Sequence, residues 1–299
     1  MADTLLDLPE LRDSWLRQLR GQRKSPHTLK SYRTALDSLL TFCSDSGTPP
    51  ELTKKTVHAW MDAQHGRGTS TVRVRLMAIK VFARWLADEE GFDADGVLAV
   101  KPPKLTQAPV ADLSENEIAR MLKVCDGTAL NDKRDRAILL LLTETGLRVA
   151  ELLALDITDV DLDECILVVR KGKGGKSRRV RFSTNTSAAI DRYARARHRA
   201  VRRPTEGRLW VSTKYGPLTY PGLVHALKAR AAAAGVVGFH VHRLRHTAAV
   251  RWLQKGGSET GLRAQAGWTD NAMVARYTKT ASERLAAEEF DRLNLGLEL

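Results

Sequence analysis

The sequence predicts a two-domain protein that is mainly α-helical and has one small β-sheet. Its 299 residues leave room for two cores, and a hydrophobic content of 43% is ordinary for a folded chain. Apolar residues recur at helical spacing over most of the chain, whereas β-rich stretches are short and few. A proline-rich segment without helical periodicity separates the two halves. We therefore expect domains at 1–95 and 111–299, joined by a linker at 96–110.

The first domain is predicted to be all-helical. Before residue 96, apolar residues repeat every three or four positions in four stretches. The first stretch ends at Gly21, and the second opens with Ser25 as a cap and Pro26 in the first turn. The third begins near Thr53 and the fourth near Thr69.

The second domain is predicted to be helical around a hairpin. Its start has the capping-box spacing of Ser114 and Glu117, and helices are expected at about 131–144 and 148–155. Two β-rich stretches, flanking a glycine-rich basic turn, indicate a hairpin with a long basic loop; they are 165–169 and 179–182. From Thr184 onward the pattern is helical again, and residues 280–299 are expected to form a C-terminal tail helix.

The chain is strongly basic, with a net charge of +13, and the charge is uneven. Residues 1–101 hold 15 basic and 13 acidic side chains, whereas the remainder holds 33 and 22. The excess lies in two clusters, at 170–181 and 192–203. Such clusters favour a polyanion, and neither lies on a helix with a bulky apolar face, so nucleic acid is preferred over a membrane. The expected DNA-binding residues are Arg170, Lys171, Lys176, Arg178 and Arg179.

Several function classes are excluded by what the sequence does not contain. The longest apolar run, 137–142, is too short to span a bilayer, and the start of the chain has no signal pattern, so we expect a cytoplasmic protein. The three cysteines have no zinc-site spacing and are expected to be reduced. We find no carboxylate cluster for Mg²⁺ and no glycine loop for phosphates, which predicts chemistry without metal or cofactor.

Three short segments of the second domain contain the residue types that phosphodiester chemistry needs. They are TGLRVAEL at 145–152, HRLRH at 242–246, and Trp268 followed nine residues later by Tyr277. Two guanidiniums can clamp the non-bridging oxygens of a phosphate, on which charge builds during attack. A tyrosine can act as the nucleophile.

Together these segments resemble the tyrosine recombinase family, which includes Xer-type, Cre-type and phage integrase enzymes. Lys173 stands where that family keeps a catalytic lysine, and residues 25–32 resemble its N-terminal domain. The resemblance implies a helical N-terminal core-binding domain and a mixed α/β catalytic domain. The implied catalytic set is Arg148, Lys173, His242, Arg245, Trp268 and Tyr277.

The resemblance also implies a role for each of these side chains. Tyr277 would form a 3′-phosphotyrosine, and Lys173 would protonate the departing 5′-oxygen. His242 would donate to the phosphate or accept the tyrosine proton, and Trp268 would donate a hydrogen bond to a phosphate oxygen. Glu151, one turn after Arg148, would hold the local geometry.

The implied function is site-specific cutting and rejoining of duplex DNA at short inverted-repeat core sites by a homotetramer. An accessory directionality factor is a further partner that the family admits. Two alternatives stay open: a type IB topoisomerase-like relaxase, and a non-catalytic DNA-binding protein. His240 and Arg243 have the same spacing as His242 and Arg245 and are an open alternative to them. Only His242 and Arg245 fit the family's HxLRH pattern.

Overall fold

The computed structural model describes residues 6–105, 112–170, 177–201, 207–268 and 290–293. The chain divides into two compact units, with the division between residues 107 and 108. In the described residues the structure is mainly helical with one three-stranded sheet, so the predicted fold class is confirmed. No helix in these ranges combines the length and the apolar composition needed to cross a bilayer.

The first unit contains the four predicted helices and one short helix. The predicted cap is present, because Ser25 Oγ accepts the Thr28 N–H at 3.1 Å. Thr53, near which the third helix was expected to begin, is also a cap, and its Oγ1 accepts the Thr56 N–H at 3.1 Å. Trp15 is buried at the centre of the unit and stacks on the Tyr32 ring at 5.1 Å. The helices are α1 (Leu8–Gly21), α2 (Pro26–Ser46), α3 (Lys54–Ala63), α4 (Thr69–Glu90) and α5 (Asp95–Leu98).

The structure includes residues 96–100, the start of the predicted linker, in the first unit. Val97 and Val100 are each 1% exposed and pack in the same apolar cluster as the four long helices. The Lys80 ammonium of α4 donates to the Leu98 carbonyl at 2.7 Å. The helix α5 has four residues and is too short to show helical periodicity in the sequence. The predicted linker was therefore placed from the prolines that follow α5.

The second unit is built around α7, whose side chains are mostly buried between α9 and α11. The predicted capping box is confirmed, because Ser114 and Glu117 exchange side-chain and backbone hydrogen bonds at 3.2 and 2.8 Å. The helices are α6 (Glu115–Val124), α7 (Leu130–Thr145), α8 (Val149–Ala154), α9 (Thr184–Ala200), α10 (Tyr220–Ala233), α11 (His242–Gln254) and α12 (Glu259–Ala266).

The predicted hairpin is confirmed as β2 (Ile166–Val169) paired antiparallel with β3 (Arg178–Arg181). A two-residue strand, β1 (Val160–Asp161), adds to the edge of β2 and was too short to predict. Side chains alternate along β3, so Arg178 and Val180 face inward while Arg179 and Arg181 are exposed. The basic loop between the strands, at 171–176, lies outside the described residues.

The second basic cluster is only partly a surface feature. On α9, Arg192, Arg195 and Arg199 are exposed. Arg197 is 3% exposed and donates to the Arg208 carbonyl at 3.0 Å, so it belongs to the interior of the unit. A run of arginines on a helix is divided between surface and core by the helical period.

Candidate active site

The turn between α7 and α8 places the first predicted arginine. Gly146 ends α7 in the left-handed conformation, with φ +61°, where glycine is favoured. A Cβ at this position would lie 3.4 Å from the Ala248 Cβ, so the turn lies close against α11. Arg148 is then the N-cap of α8, and its backbone N–H donates to Glu151 Oε2 at 3.0 Å.

The Arg148 side chain is held at two points. Its Nη1 donates to Glu151 Oε1 at 2.9 Å, and its Nη2 donates to the Gly267 carbonyl at 2.9 Å. The Arg148 side chain is 34% exposed, whereas that of Glu151 is 6% exposed. The guanidinium is therefore oriented from inside the protein and still reaches the surface.

Arg245, in the first turn of α11, lies beside the turn between α7 and α8. Its guanidinium donates to the Gly146 carbonyl and, at 3.0 Å, to the Ala266 carbonyl. It also lies over the buried Trp268 ring, with Cζ 5.0 Å from the ring centroid. Arg245 is thus fixed beside the turn that carries Arg148.

The alternative histidine–arginine register does not reach this region. Arg243 points away, and donates to the Val237 carbonyl at 2.9 Å and to the Asp112 carbonyl at 3.2 Å. His242, the first residue of α11, is exposed on the helix that carries Arg245. The geometry therefore favours His242 and Arg245.

A third arginine, Arg178, belongs to the site, although the sequence predicted it as a DNA contact. Arg178, expected to contact DNA, instead donates from Nη2 and Nη1 to the two Glu151 oxygens at 2.8 and 3.1 Å. Its Nε donates to the Gln265 carbonyl at 3.3 Å, and its side chain is only 15% exposed. The alternation along β3, which puts Arg178 on the same face as Val180, is the sequence signal that could have found this.

The three guanidiniums converge on the C-terminal turn of α12. The last carbonyls of a helix have no partner within the helix and lie at the negative end of its dipole. Three successive carbonyls of this turn accept from arginines. They are Gln265 from Arg178, Ala266 from Arg245, and Gly267 from Arg148.

The site has more positive than negative charge. Burial alone would raise the pKa of Glu151, but the hydrogen bonds and charges of Arg178 and Arg148 outweigh burial and hold that pKa below its ordinary value. Glu151 is therefore ionised at neutral pH, and three cations face one anion. An excess of positive charge held in this way would attract and orient a phosphate.

The remaining predicted residues are placed as follows. Arg170 has a 59% exposed side chain and an ion pair with buried Asp159, and Arg179 is exposed on β3. Among the described residues, these two are the predicted DNA contacts that lie at the surface. Four others fall outside the described residues: Lys171, Lys173, Lys176 and Tyr277.

Comparison with known proteins agrees with this geometry. The profile of the phage integrase family matches residues 111–284, and that of the phage integrase N-terminal SAM-like domain matches 13–90. The chain belongs to the phage integrase family of tyrosine recombinases. Enzymes of this family cut and rejoin DNA, so the predicted family and enzyme class are confirmed.

Similarity to individual relatives extends over nearly the whole chain. Tyrosine recombinase XerC of Xanthomonas campestris pv. campestris (strain B100) is 30% identical over 291 residues, which are 95% of this chain and 88% of the relative. XerC of Mycobacterium sp. (strain KMS) is 30% identical over 92% of this chain and 94% of its own.

Solved structures are similar over comparable lengths. The XerA recombinase superposes with a TM-score of 0.56 at 25% identity, covering 97% of this chain and 100% of that one. The XerH recombinase bound to its palindromic difH substrate superposes with a TM-score of 0.73 at 18% identity, covering 88% and 79%. The second similarity concerns the fold alone.

Proposed function

We propose that this recombinase acts site-specifically on duplex DNA, with Tyr277 as the nucleophile and with Arg148 and Arg245 as the clamp on the phosphate. The observation that supports this most is the convergence of guanidiniums on the last turn of α12. Both arginines are held by backbone carbonyls, so their charges are oriented before any substrate arrives. Preorganised charge of this kind lowers the barrier of a reaction in which negative charge develops.

The proposed reaction exchanges one phosphate ester for another. The Tyr277 oxygen attacks phosphorus and forms a P–O bond, while the bond from phosphorus to the 5′-oxygen breaks. The tyrosine proton passes to a base, for which His242 is our candidate, and Lys173 gives a proton to the departing oxygen. Trp268 packs under the Arg245 guanidinium and thereby supports the clamp. A second attack by a 5′-hydroxyl reverses the same steps and rejoins the strand.

The partner that we propose is double-stranded DNA with short inverted-repeat core sites, bound by a homotetramer. Among proteins of similar fold, lambda integrase has been solved as a dimer bound to a core site and as a tetramer bound to a Holliday junction. Recombination of two duplexes cuts and exchanges four strands, which needs four nucleophiles. We place the enzyme in the cytoplasm, and an accessory directionality factor stays a prediction.

The test uses a duplex selected from a random-sequence library by binding to the wild-type chain, then nicked so that cleavage traps the covalent adduct. Tyr277→Phe should abolish the adduct and keep DNA affinity, because it removes one nucleophilic oxygen and no charge. Tyr220→Phe is the matched control, since Tyr220 is 59% exposed in the same unit, and should react normally. Excess EDTA should leave the wild-type reaction unchanged.

An adduct formed by Tyr277→Phe would refute the assignment of the nucleophile. Wild-type protein that relaxes any supercoiled plasmid, without preference for the selected site, would favour a topoisomerase instead. Wild-type protein that binds the selected duplex and never forms an adduct would favour a non-catalytic DNA-binding protein.

A further inference from the structure

We infer that Arg178 is a positioning residue for DNA cleavage: it binds Glu151 and the last turn of α12, and so fixes the orientation of Arg148 without touching DNA. This inference rests on the proposed function. It replaces the prediction, made from the basic cluster, that Arg178 contacts the DNA backbone.

Glu151 accepts two hydrogen bonds from Arg148 and two from Arg178. Its Oε1 accepts from Nη1 of Arg148 at 2.9 Å and from Nη1 of Arg178 at 3.1 Å. Its Oε2 accepts from the Arg148 backbone N–H at 3.0 Å and from Nη2 of Arg178 at 2.8 Å. The two-point contact from Arg178 fixes the plane of the carboxylate, and that plane decides where Oε1 meets the Arg148 guanidinium.

A second connection runs through the backbone of α12. Arg178 Nε donates to the Gln265 carbonyl, and the carbonyl oxygen of Gly267, two residues later, accepts from Nη2 of Arg148. A Cβ on Gly267 would lie 2.5 Å from the Arg178 Cζ, so the guanidinium lies directly against this glycine. Arg178 therefore supports both acceptors of the Arg148 side chain, the carboxylate and the carbonyl.

The geometry distinguishes Arg178 from Arg148, the other arginine on Glu151. Each of its three nitrogens already donates to a protein acceptor, and its side chain is 15% exposed against 34% for Arg148. Arg178 is the inward-facing member of its strand, whereas the adjacent Arg179 is exposed. We therefore expect Arg178 to act on the reaction through Glu151 and Arg148.

Loss of Arg178 should therefore appear in the cleavage step rather than in DNA binding. Without it, Glu151 keeps a single arginine partner and can rotate, and Arg148 loses its fixed direction. A small misplacement of a catalytic group lowers rates by up to about a hundredfold. We expect Arg178→Ala to slow single-turnover adduct formation on the selected duplex about tenfold to a hundredfold. Its dissociation constant for the same duplex should change by less than about threefold, because contacts with phosphate remain.

Arg136→Ala is the matched control. Arg136 also pairs with one carboxylate, Asp126 at 2.7 Å, and with one carbonyl, Leu122 at 2.9 Å. It lies on α7 about 15 Å before Gly146 along the helix. It should cleave at the wild-type rate. Arg178→Lys, which keeps the charge but has no planar fork, should recover part of the rate that Arg178→Ala loses.

A double-mutant cycle with Glu151→Gln tests the route of the effect. If Arg178 acts through Glu151, adding Arg178→Ala to Glu151→Gln should slow cleavage by less than about threefold further, because coupled residues are not additive. A purely structural role would instead lower the melting temperature of Arg178→Ala with no change in the rate of the folded fraction. Should Arg178→Ala not fold, Arg178→Lys is compared with Glu151→Gln in the same cycle.

Three results would overturn the inference while leaving the proposed function intact. They are a wild-type cleavage rate in Arg178→Ala, rate losses that multiply in the double variant, and weakened DNA binding with a normal rate at saturating DNA. The last would make Arg178 a DNA contact. Failure of the proposed function is distinguishable, because the wild-type chain itself would then form no adduct, and the inference would fall with it.

Discussion

Gly267→Ala tests whether the contact between α12 and Arg178 contributes to stability. Gly267 ends α12 with φ +67°, and an added Cβ would lie 2.5 Å from Cζ and 2.6 Å from Nη1 of Arg178. Gly235, after α10 in the same unit, has φ +66° and nothing within 4 Å of the added Cβ. The two alanine substitutions therefore share the backbone strain and differ in the collision.

The expected magnitudes follow from these two contributions. An alanine in the left-handed region costs about 1–2 kcal/mol, which is the whole expected effect of Gly235→Ala. In Gly267→Ala the flexible guanidinium can move aside, but it then leaves Glu151, whose side chain is 6% exposed. Removing one partner of a buried pair costs about 3–5 kcal/mol. Since Arg178 is displaced rather than removed, we expect about 2 kcal/mol beyond the strain.

Differential scanning calorimetry of the full chain provides the measurement. At about 2–4 °C per kcal/mol, the melting temperature should fall by about 2–8 °C for Gly235→Ala and about 4 °C or more further for Gly267→Ala. In an Arg178→Ala background the collision is gone, so Gly267→Ala should lose only what Gly235→Ala loses. Equal melting temperatures for the two single variants would refute the contact as a source of stability.

Three further outcomes are expected. Arg245→Lys keeps the charge but not the two-armed fork, and should lower the single-turnover cleavage rate of the folded protein about a hundredfold or more. Tyr193→Phe leaves a carbonyl and an N–H of residues 209–211 without their buried partner, and should lose about 1–3 kcal/mol in urea titration. Because the pKa of Glu151 is lowered on folding, its stabilisation is present above about pH 4.5 and is lost as the pH falls through the folded value. Wild type should therefore lose more unfolding free energy than Glu151→Gln between pH 5 and about pH 3.

The sequence alone predicted the features of this protein that depend on neighbouring residues. Helix starts follow from caps such as Ser25 and Ser114, because a side-chain oxygen satisfies N–H groups within one turn. The hairpin follows from β-rich residues around a glycine turn, and the end of α7 follows from Gly146. The resemblance to recombinases rested on short motifs of the same kind, in which spacing along the chain is the signal.

Tertiary structure decided which arginines belong to the site. Arg148 and Gly267 are 119 residues apart, Gly146 and Arg245 are 99 apart, and Glu151 and Arg178 are 27 apart. A stretch of basic residues looks alike in sequence whether a guanidinium meets DNA or a carboxylate of its own chain. Whether an arginine is exposed or buried depends on the long-range partner that the fold brings within hydrogen-bond distance. A charge is buried favourably only where such a partner accepts its hydrogen bonds.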